Sequence, residues 1–246
     1  MKLVKTAVIL GAAAVSSTVL VACAGEQKLT GEAAEYVQMT PEALAENLIF
    51  ESNSFKLDME MQEGGTGRDR LVQDELQKTC SEFRNNPVDP ETAGKINAMA
   101  RATIKYPEGG IKLGDWQRGR ELAWSGYGYR VGHRNDDHNS RGPGANCYNC
   151  HQLATDRTGG TIGPQLTNYG KLRGTSEPIL KYTYDVLYNP HAFYACTNMP
   201  RMGANGVLDE QQISDIMAYL LDPESPVNQA AGTPKAGDDS GEEGEG

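Results

Sequence analysis

Two cysteines separated by two residues, with a histidine directly after the second, form the most informative pattern in this chain: Cys147, Cys150 and His151. The Cys-x-x-Cys-His pattern is typical of covalent attachment of a c-type haem, in which each thiol bonds to a haem vinyl group and the histidine binds the iron. The chain has only 5 cysteines and 4 histidines among 246 residues, so chance is a poor explanation. We therefore predict one covalently bound haem c, with His151 as an axial ligand of its iron.

Two other uses of paired cysteines fit the sequence less well. A structural zinc site would need a second pair of ligands, and the other candidates, Cys80 and Cys196, stand alone in the sequence. A thioredoxin-like dithiol would occur in a βαβ context, which the sequence does not predict.

The first residues predict export, in agreement with haem attachment outside the cytoplasm. Lys2 and Lys5 precede an apolar run, and residues 1–22 are typical of a secretory signal peptide, too short for a comfortable membrane span. The run ends in Leu-Val-Ala before Cys23, similar to the bacterial lipoprotein signal, in which this cysteine becomes the lipidated first residue. Several acyl chains there would anchor the protein firmly to the periplasmic side of a bacterial membrane. Ordinary cleavage after Ala24, giving a soluble periplasmic protein, is the alternative.

Charge also limits the possible partners. From Cys23 onward the chain has 21 basic and 33 acidic residues, which disfavours nucleic acid as a partner. Part of this excess lies in residues 229–246, which have one lysine, five acids and no large apolar side chain. Such a segment cannot bury enough apolar surface to offset its ordering entropy, so we predict a disordered acidic tail.

The remaining residues divide into a tether (23–35), a helical N-terminal extension (36–110) and a haem domain (111–228). In the extension, helices are predicted to begin at Thr40-Pro41 and Asp89-Pro90, and another spans 68–83. The apolar content of the extension is thin for an independent core, so it is expected to wrap on another part of the chain. The side chains predicted to face inward are Leu71, Val72, Leu76, Cys80, Ile96, Met99 and Ala100.

Two helices are predicted to frame the haem domain, one over 114–124 and one over 209–221, ended by Pro223. The first contains Gly119, and an internal glycine usually has a packing reason. The second has apolar residues at helical spacing, which predicts one buried face. These residues are Ile213, Ile216, Met217, Leu220 and Leu221.

This arrangement resembles the class I cytochrome c fold and, more narrowly, the SoxX family, the monohaem subunits of the SoxAX complexes of bacterial thiosulfate oxidation. The resemblance lies in residues 114–119, 146–151, 159–166, 169–170, 198–201 and 220–228. It implies a mainly α fold, a class I cytochrome c-like haem domain with an N-terminal helical extension. It covers about 106–228, while the extension, the long stretch 124–146 and the tail depart from shorter members.

The resemblance implies a role in an L-cysteine S-thiosulfotransferase. In such systems the SoxAX complex oxidatively couples thiosulfate to a cysteine of the SoxYZ carrier, and the electrons pass to c-type cytochromes. The catalytic centre belongs to the SoxA subunit, so no catalytic residue is expected here and this subunit would relay electrons. The partners implied are a SoxA-like cytochrome subunit, SoxYZ, an electron-accepting c-type cytochrome and the membrane. A free-standing lipoprotein cytochrome c that shuttles electrons is the alternative.

The resemblance also implies roles at the iron. Met199, followed by proline as in the methionine loop of class I cytochromes, is expected as the sixth ligand, with Met202 the main alternative and His191 and Cys196 further candidates. The carbonyl of Pro164 is expected to accept a hydrogen bond from His151, and Tyr219 is expected to lie over Gly119. His133 and His138 are expected to be solvated loop residues.

Two cysteines remain once Cys23 is assigned to the lipid and Cys147 and Cys150 are assigned to the haem. Cys80 and Cys196 would share an oxidising compartment, where leftover pairs tend to be bridged, so we predict a disulfide between them. It would tie the extension to the segment three residues before Met199. The alternative leaves Cys196 as a free thiol near the iron and Cys80 as a buried apolar residue.

Overall fold

The structure, a computed structural model, describes residues 32–52, 54–84, 86–130 and 142–230. The predicted signal peptide, Cys23, His133, His138 and the tail beyond Ala230 lie outside these ranges. Among the described residues no helix is both long and apolar enough to cross a membrane. The same residues contain no named strand, only one isolated β-bridge between Glu60 and Thr66. The predicted mainly α class is confirmed.

The described helices are nine, in the order α1 Glu32–Gln38, α2 Pro41–Glu46, α3 Gly67–Leu71, α4 Glu75–Phe83, α5 Pro90–Ala102, α6 Trp116–Trp124, α7 Tyr169–Arg173, α8 Glu177–Tyr188 and α9 Glu210–Leu221. Short 3₁₀ turns occupy Cys147–Asn149, Pro190–Ala192 and Pro226–Asn228. The chain divides into two compact units, one ending at Ser52 and the other containing everything described from residue 54 onward.

The first unit is a short helical segment. Its helix α2 starts as predicted, with the Thr40 hydroxyl accepting from the Ala43 N–H (3.2 Å) and Pro41 in the first turn. It continues as a π-helical turn over Asn47–Glu51. Helix α1 begins at Glu32, within the last residues of the predicted tether of residues 23–35.

The helix predicted over 68–83 is wrong as one element, because it forms as α3 and α4 with a break between them. Val72 is extended, and Asp74 caps α4 by accepting from the Gln77 N–H (2.8 Å) while the Gln77 side chain accepts from the Asp74 N–H (3.0 Å). This capping box starts a new helix where the apolar spacing suggests continuity. Leu71 and Val72, predicted inward, are exposed, whereas Leu76 is buried.

Helices α4 and α5 wrap on the haem domain, as their thin apolar content predicts. Their buried residues form a small cluster that includes Ala192 and the neighbouring Ala195 and Cys196. Ile96 and Ala100 face inward as predicted, but Met99 is exposed, so that part of the prediction is wrong. Residues 54–110 thus belong to the same compact unit as the haem domain.

The main core lies where α6 crosses α9. A Cβ at Gly119 would overlap the backbone carbonyl of Asp215, so the two helices meet backbone to backbone at this point. Asp215, and not Tyr219, lies over Gly119, which corrects the expectation. All five residues of the predicted stripe on α9 are buried. Helix α8, which the sequence analysis does not predict, adds Tyr184, Leu187 and Tyr188 to the same core.

Polar groups lock the same helix crossing. The carboxylate of Asp215 is buried and accepts two hydrogen bonds from the Arg118 guanidinium (2.8 and 3.0 Å) and one from the Asp115 N–H (2.8 Å). Burial by itself would raise the pKa of Asp215, but these hydrogen bonds and one from Gln211 outweigh it and lower the pKa. The buried carboxylate is therefore charged, and it fixes the start of α6 against α9.

The closing segment after α9 is an integral part of the fold. Asn228 is fully buried; its side-chain oxygen accepts from the Gly170 N–H (2.8 Å), and its amide donates to the carbonyls of Leu220 (3.1 Å) and Asp222 (2.8 Å). It therefore ties α7 to the end of α9. The first residues of the predicted disordered tail are also ordered, since Ala230 is buried and accepts from Asn168 (3.1 Å).

Candidate haem site

The cysteine motif forms a tight turn immediately before the histidine. Cys147 begins a 3₁₀ turn, and its carbonyl accepts from the N–H groups of Cys150 (3.1 Å) and His151 (2.9 Å). Both cysteines are free thiols and are partly buried. The turn brings the three predicted haem-binding side chains together on a few residues of backbone.

The Cys147 thiol lacks the property that the reactive cysteine of a redox dithiol requires. A reactive cysteine of that kind has a lowered pKa, because the thiolate is the nucleophile. Burial instead raises the pKa of the Cys147 thiol to about 12. The site therefore favours covalent attachment of a group to two thiols over thiol–disulfide exchange.

The proximal histidine is held in one tautomer. Its Nδ1 lies 2.7 Å from the backbone oxygen of Pro164, the partner expected from the sequence. A carbonyl oxygen can only accept, so Nδ1 carries the proton and Nε2 keeps its lone pair for a metal. Gly163 makes this approach possible, because a Cβ there would overlap the imidazole ring.

Tyr148, between the two cysteines, anchors the motif to the core. It is buried, and its hydroxyl lies 2.7 Å from that of Tyr219 on α9 and accepts from the Ala154 N–H (3.2 Å). Burial, and then the hydrogen bond with Tyr148, raises the pKa of Tyr219, so the Tyr219 phenol is neutral. The sequence analysis missed this role, since an aromatic at that position has no periodic or motif signal.

The two candidate methionines have different surroundings. Met202 is a buried member of the main core, and its carbonyl accepts from the N–H groups of Val207 (2.9 Å) and Leu208 (3.1 Å). Met199 is only partly buried and packs against the edge of that core. It lies in an irregular loop between the 3₁₀ turn Pro190–Ala192 and α9. We call residues 193–209 the Met199 loop. Because the Met199 side chain is partly exposed, it is available to a bound group. The Met202 side chain is instead packed in the core.

The other two candidates for the sixth ligand have partners within the protein. His191 is buried, and its Nδ1 accepts from the Cys196 N–H (3.1 Å). Burial, and secondarily the positive charge of Arg201, lowers the pKa of His191. Cys196 is joined to Cys80 in a disulfide, with Cα atoms 5.2 Å apart. The predicted pair is therefore the pair that the structure joins, and the sulfur of Cys196 is not a free thiol.

The residues present fit a covalently bound haem. Cys147 and Cys150 would hold it, His151 would ligate its iron through Nε2, and Met199 would be the second candidate ligand of the iron. Bound haem supplies a one-electron couple, and a thioether ligand raises its potential. No cluster of three or more His, Cys, Asp or Glu side chains able to hold a separate metal ion occurs in the described part of the chain.

Comparison with known proteins agrees with this geometry. Residues 144–222 match the family model described as cytochrome c. A protein of Aquifex aeolicus (strain VF5), described as an uncharacterized lipoprotein, is 42% identical over 165 residues, which cover 64% of this chain and 74% of the relative.

The fold and the site together define a class I cytochrome c domain that binds haem c covalently and carries electrons. The chain belongs to the same family as the Aquifex lipoprotein, with a region of similarity about twice as long as the cytochrome c match alone.

Proposed function

We propose that this protein is the electron-relay subunit of a SoxAX-type complex, anchored by lipid on Cys23 to the periplasmic side of a bacterial membrane. Its haem, held by Cys147 and Cys150 with His151 and Met199 as axial ligands, accepts electrons released when thiosulfate is coupled to a cysteine of a SoxYZ carrier. The bond-forming centre lies on a SoxA-like partner, and the electrons pass on to a c-type cytochrome.

One structural observation carries the proposal beyond a generic electron carrier. The closing segment 220–228, which is part of the resemblance to SoxX, is built into the haem domain, with Ser225, Val227 and Asn228 all fully buried. Through Asn228 it fixes α7, which begins five residues after Pro164. A minimal haem carrier does not require this segment.

The lipid anchor rests on separate support. The Leu-Val-Ala-Cys sequence that ends at Cys23 has the form of a lipoprotein signal, and the Aquifex relative is described as a lipoprotein. A mass spectrum of the mature N-terminus tests this part alone. A diacylated or triacylated Cys23 is expected, and unmodified Gly25 as the first residue would contradict it.

Isolation from native membranes tests the complex. We expect a second haem-containing subunit to copurify, and the pair to be reduced by thiosulfate only when a SoxYZ carrier with its cysteine intact is present. A carrier with that cysteine changed to serine is the matched control. A stable monomer that is indifferent to thiosulfate and carrier would instead identify a free-standing lipoprotein cytochrome c.

A further inference from the structure

Within the described residues, the tip of the Met199 loop, residues 198–200, forms no backbone–backbone hydrogen bond, although the carbonyls of Arg201 and Met202 after it accept from Asn205, Val207 and Leu208. In the described part of the chain, no backbone N–H between Asn198 and Met202 donates to a backbone carbonyl. The Met199 N–H donates instead to the Thr197 hydroxyl (3.3 Å). A loop of this kind keeps its geometry only if neighbouring elements hold it.

Helix α4 of the extension contacts the loop on both sides of Met199. Three residues before it, Cys196 is bonded to Cys80, which lies in the middle of α4. Two residues after it, the Arg201 guanidinium donates to the carboxylate of Asp74, the N-cap of α4, at 2.6 Å. One helix therefore brackets the methionine with a covalent bond and an ion pair.

The ion pair is well placed to constrain the loop. The side chain of Arg201 is only 10% exposed, so removing its partner would leave a poorly solvated charge. Burial alone would raise the pKa of Asp74, but hydrogen bonds from the Gln77 N–H and Arg201 outweigh it and lower the pKa, so Asp74 is a carboxylate at neutral pH. The charges are therefore present whenever the protein works.

We infer that Asp74 is a positioning residue for the axial methionine: through Arg201 it holds the Met199 loop closed over the haem iron. The inference rests on the proposed ligand Met199. It assigns a role to the extension, which lies outside the segment that matches the cytochrome c family. The helix that carries the disulfide also carries a second, electrostatic link to the same loop.

The substitution Asp74→Asn isolates the ion pair. Asparagine is as good an N-cap as aspartate, so the start of α4 should be preserved while the charge is lost. Asp89→Asn is the matched control, because Asp89 is the N-cap of α5 in the same extension, where it accepts from the Thr92 N–H (2.9 Å), and it forms no ion pair among the described residues. Arg201→Lys keeps the charge but loses the planar fork.

The experiment uses the full-length holoprotein and carbon monoxide as a probe that competes with methionine for ferrous iron. We expect Asp74→Asn to raise the affinity for carbon monoxide about tenfold, since a larger fraction of molecules has an open loop. The ferric absorption band of methionine-ligated haem should weaken in parallel. Asp89→Asn should match the wild type in both measurements, and Arg201→Lys should be intermediate.

Two results would overturn the inference. Asp74→Asn could behave as the wild type, or Asp74→Asn and Asp89→Asn could change carbon monoxide affinity equally, which would indicate a general effect of helix capping. Failure of the proposed ligand is distinguishable, because the wild type itself would then lack the band of methionine ligation.

Discussion

At the scale of single residues, the two expected iron ligands are distinguished in different ways. His151 is oriented by a hydrogen bond, and Met199 is favoured by its partial exposure. His151 is committed by its hydrogen bond to Pro164, which leaves Nε2 for the iron. Met199 differs from Met202 by exposure, since the second is part of the packed core. We therefore expect Met199 to be the methionine that ligates the iron, because Met202 is required for packing of the core.

Substitution of the two methionines separates these roles. Met199→Ala should abolish the ferric band of methionine-ligated haem and lower the reduction potential, because the thioether that favours ferrous iron is lost. Met202→Leu conserves volume in the core, so it should keep the band and cost less than about 1.5 kcal/mol of stability. Visible spectroscopy and redox titration of both holoproteins check this. A band that survives in the first variant and disappears in the second would make Met202 the ligand.

A second prediction concerns the buried His191. Burial lowers its pKa in the folded protein below the usual value of 6.5, so the unfolded chain binds a proton more readily. The stability that neutral His191 contributes is complete above about pH 6.5 and is lost as the pH falls through the lower folded pKa. His191→Gln, which keeps an acceptor for the Cys196 N–H, should therefore lose less stability than the wild type between pH 7 and pH 5.

Urea unfolding at several pH values measures that difference. The gap between the two proteins should change by at most about 1.4 kcal/mol per pH unit, the slope for one proton. Other titrating groups are common to both and cancel in the comparison. Parallel curves over the whole range would show that His191 takes no part in the acid response.

At the scale of elements, the haem domain depends on a close crossing of α6 and α9. Gly119 lets the two backbones touch. At the start of α6, the Asp215 carboxylate accepts hydrogen bonds from the Arg118 guanidinium and the Asp115 N–H. Helix α9 also carries Tyr219, which holds the cysteine motif through Tyr148. The crossing therefore positions the haem-binding turn.

Two glycine-to-alanine substitutions test this crossing. Gly119→Ala places a Cβ on the Asp215 carbonyl and should destabilise the protein by about 1–3 kcal/mol, the usual cost of overpacking a well-packed core. Gly94→Ala is the control, since it lies inside α5 with no atom within 4 Å of the new Cβ, and should stabilise by about 0.5–1 kcal/mol. Denaturant unfolding gives both values, and effects of the same sign would refute the packing argument.

At the scale of the whole molecule, residues 54–110 of the extension form one compact unit with the haem domain. Its helices α4 and α5 pack on the segment before Met199, and the Tyr184 hydroxyl of α8 donates to the Lys105 carbonyl (2.8 Å). The Cys80–Cys196 disulfide adds a covalent link across 116 residues of sequence. Residues 54–110 and the Met199 loop are therefore expected to unfold together.

Removal of that disulfide should cost much of the stability. In the chain-entropy model, a closed loop of this length contributes about 4 to 5 kcal/mol by restricting the unfolded chain. The double variant Cys80→Ala, Cys196→Ala should show this loss in urea unfolding, and a reducing agent should bring the wild type toward it while leaving the variant unchanged. A variant as stable as the oxidised wild type would show that packing and the Asp74–Arg201 pair suffice.

The sequence by itself determined the features that depend on neighbouring residues. The haem-binding Cys147, Cys150 and His151 could be recognised because covalent attachment requires all three within five positions. The start of α5 followed from the Asp89-Pro90 pair, and the buried face of α9 from its periodicity. These signals are local, and the fold did not alter them.

The tertiary structure alone decided which distant groups meet. It placed Asp215 over Gly119 and paired Asp74 with Arg201, 127 positions away. A carboxylate has the same appearance in sequence whether it caps a helix, faces solvent or holds a guanidinium. Its role is decided by burial and by the partner that folding brings within hydrogen-bond distance.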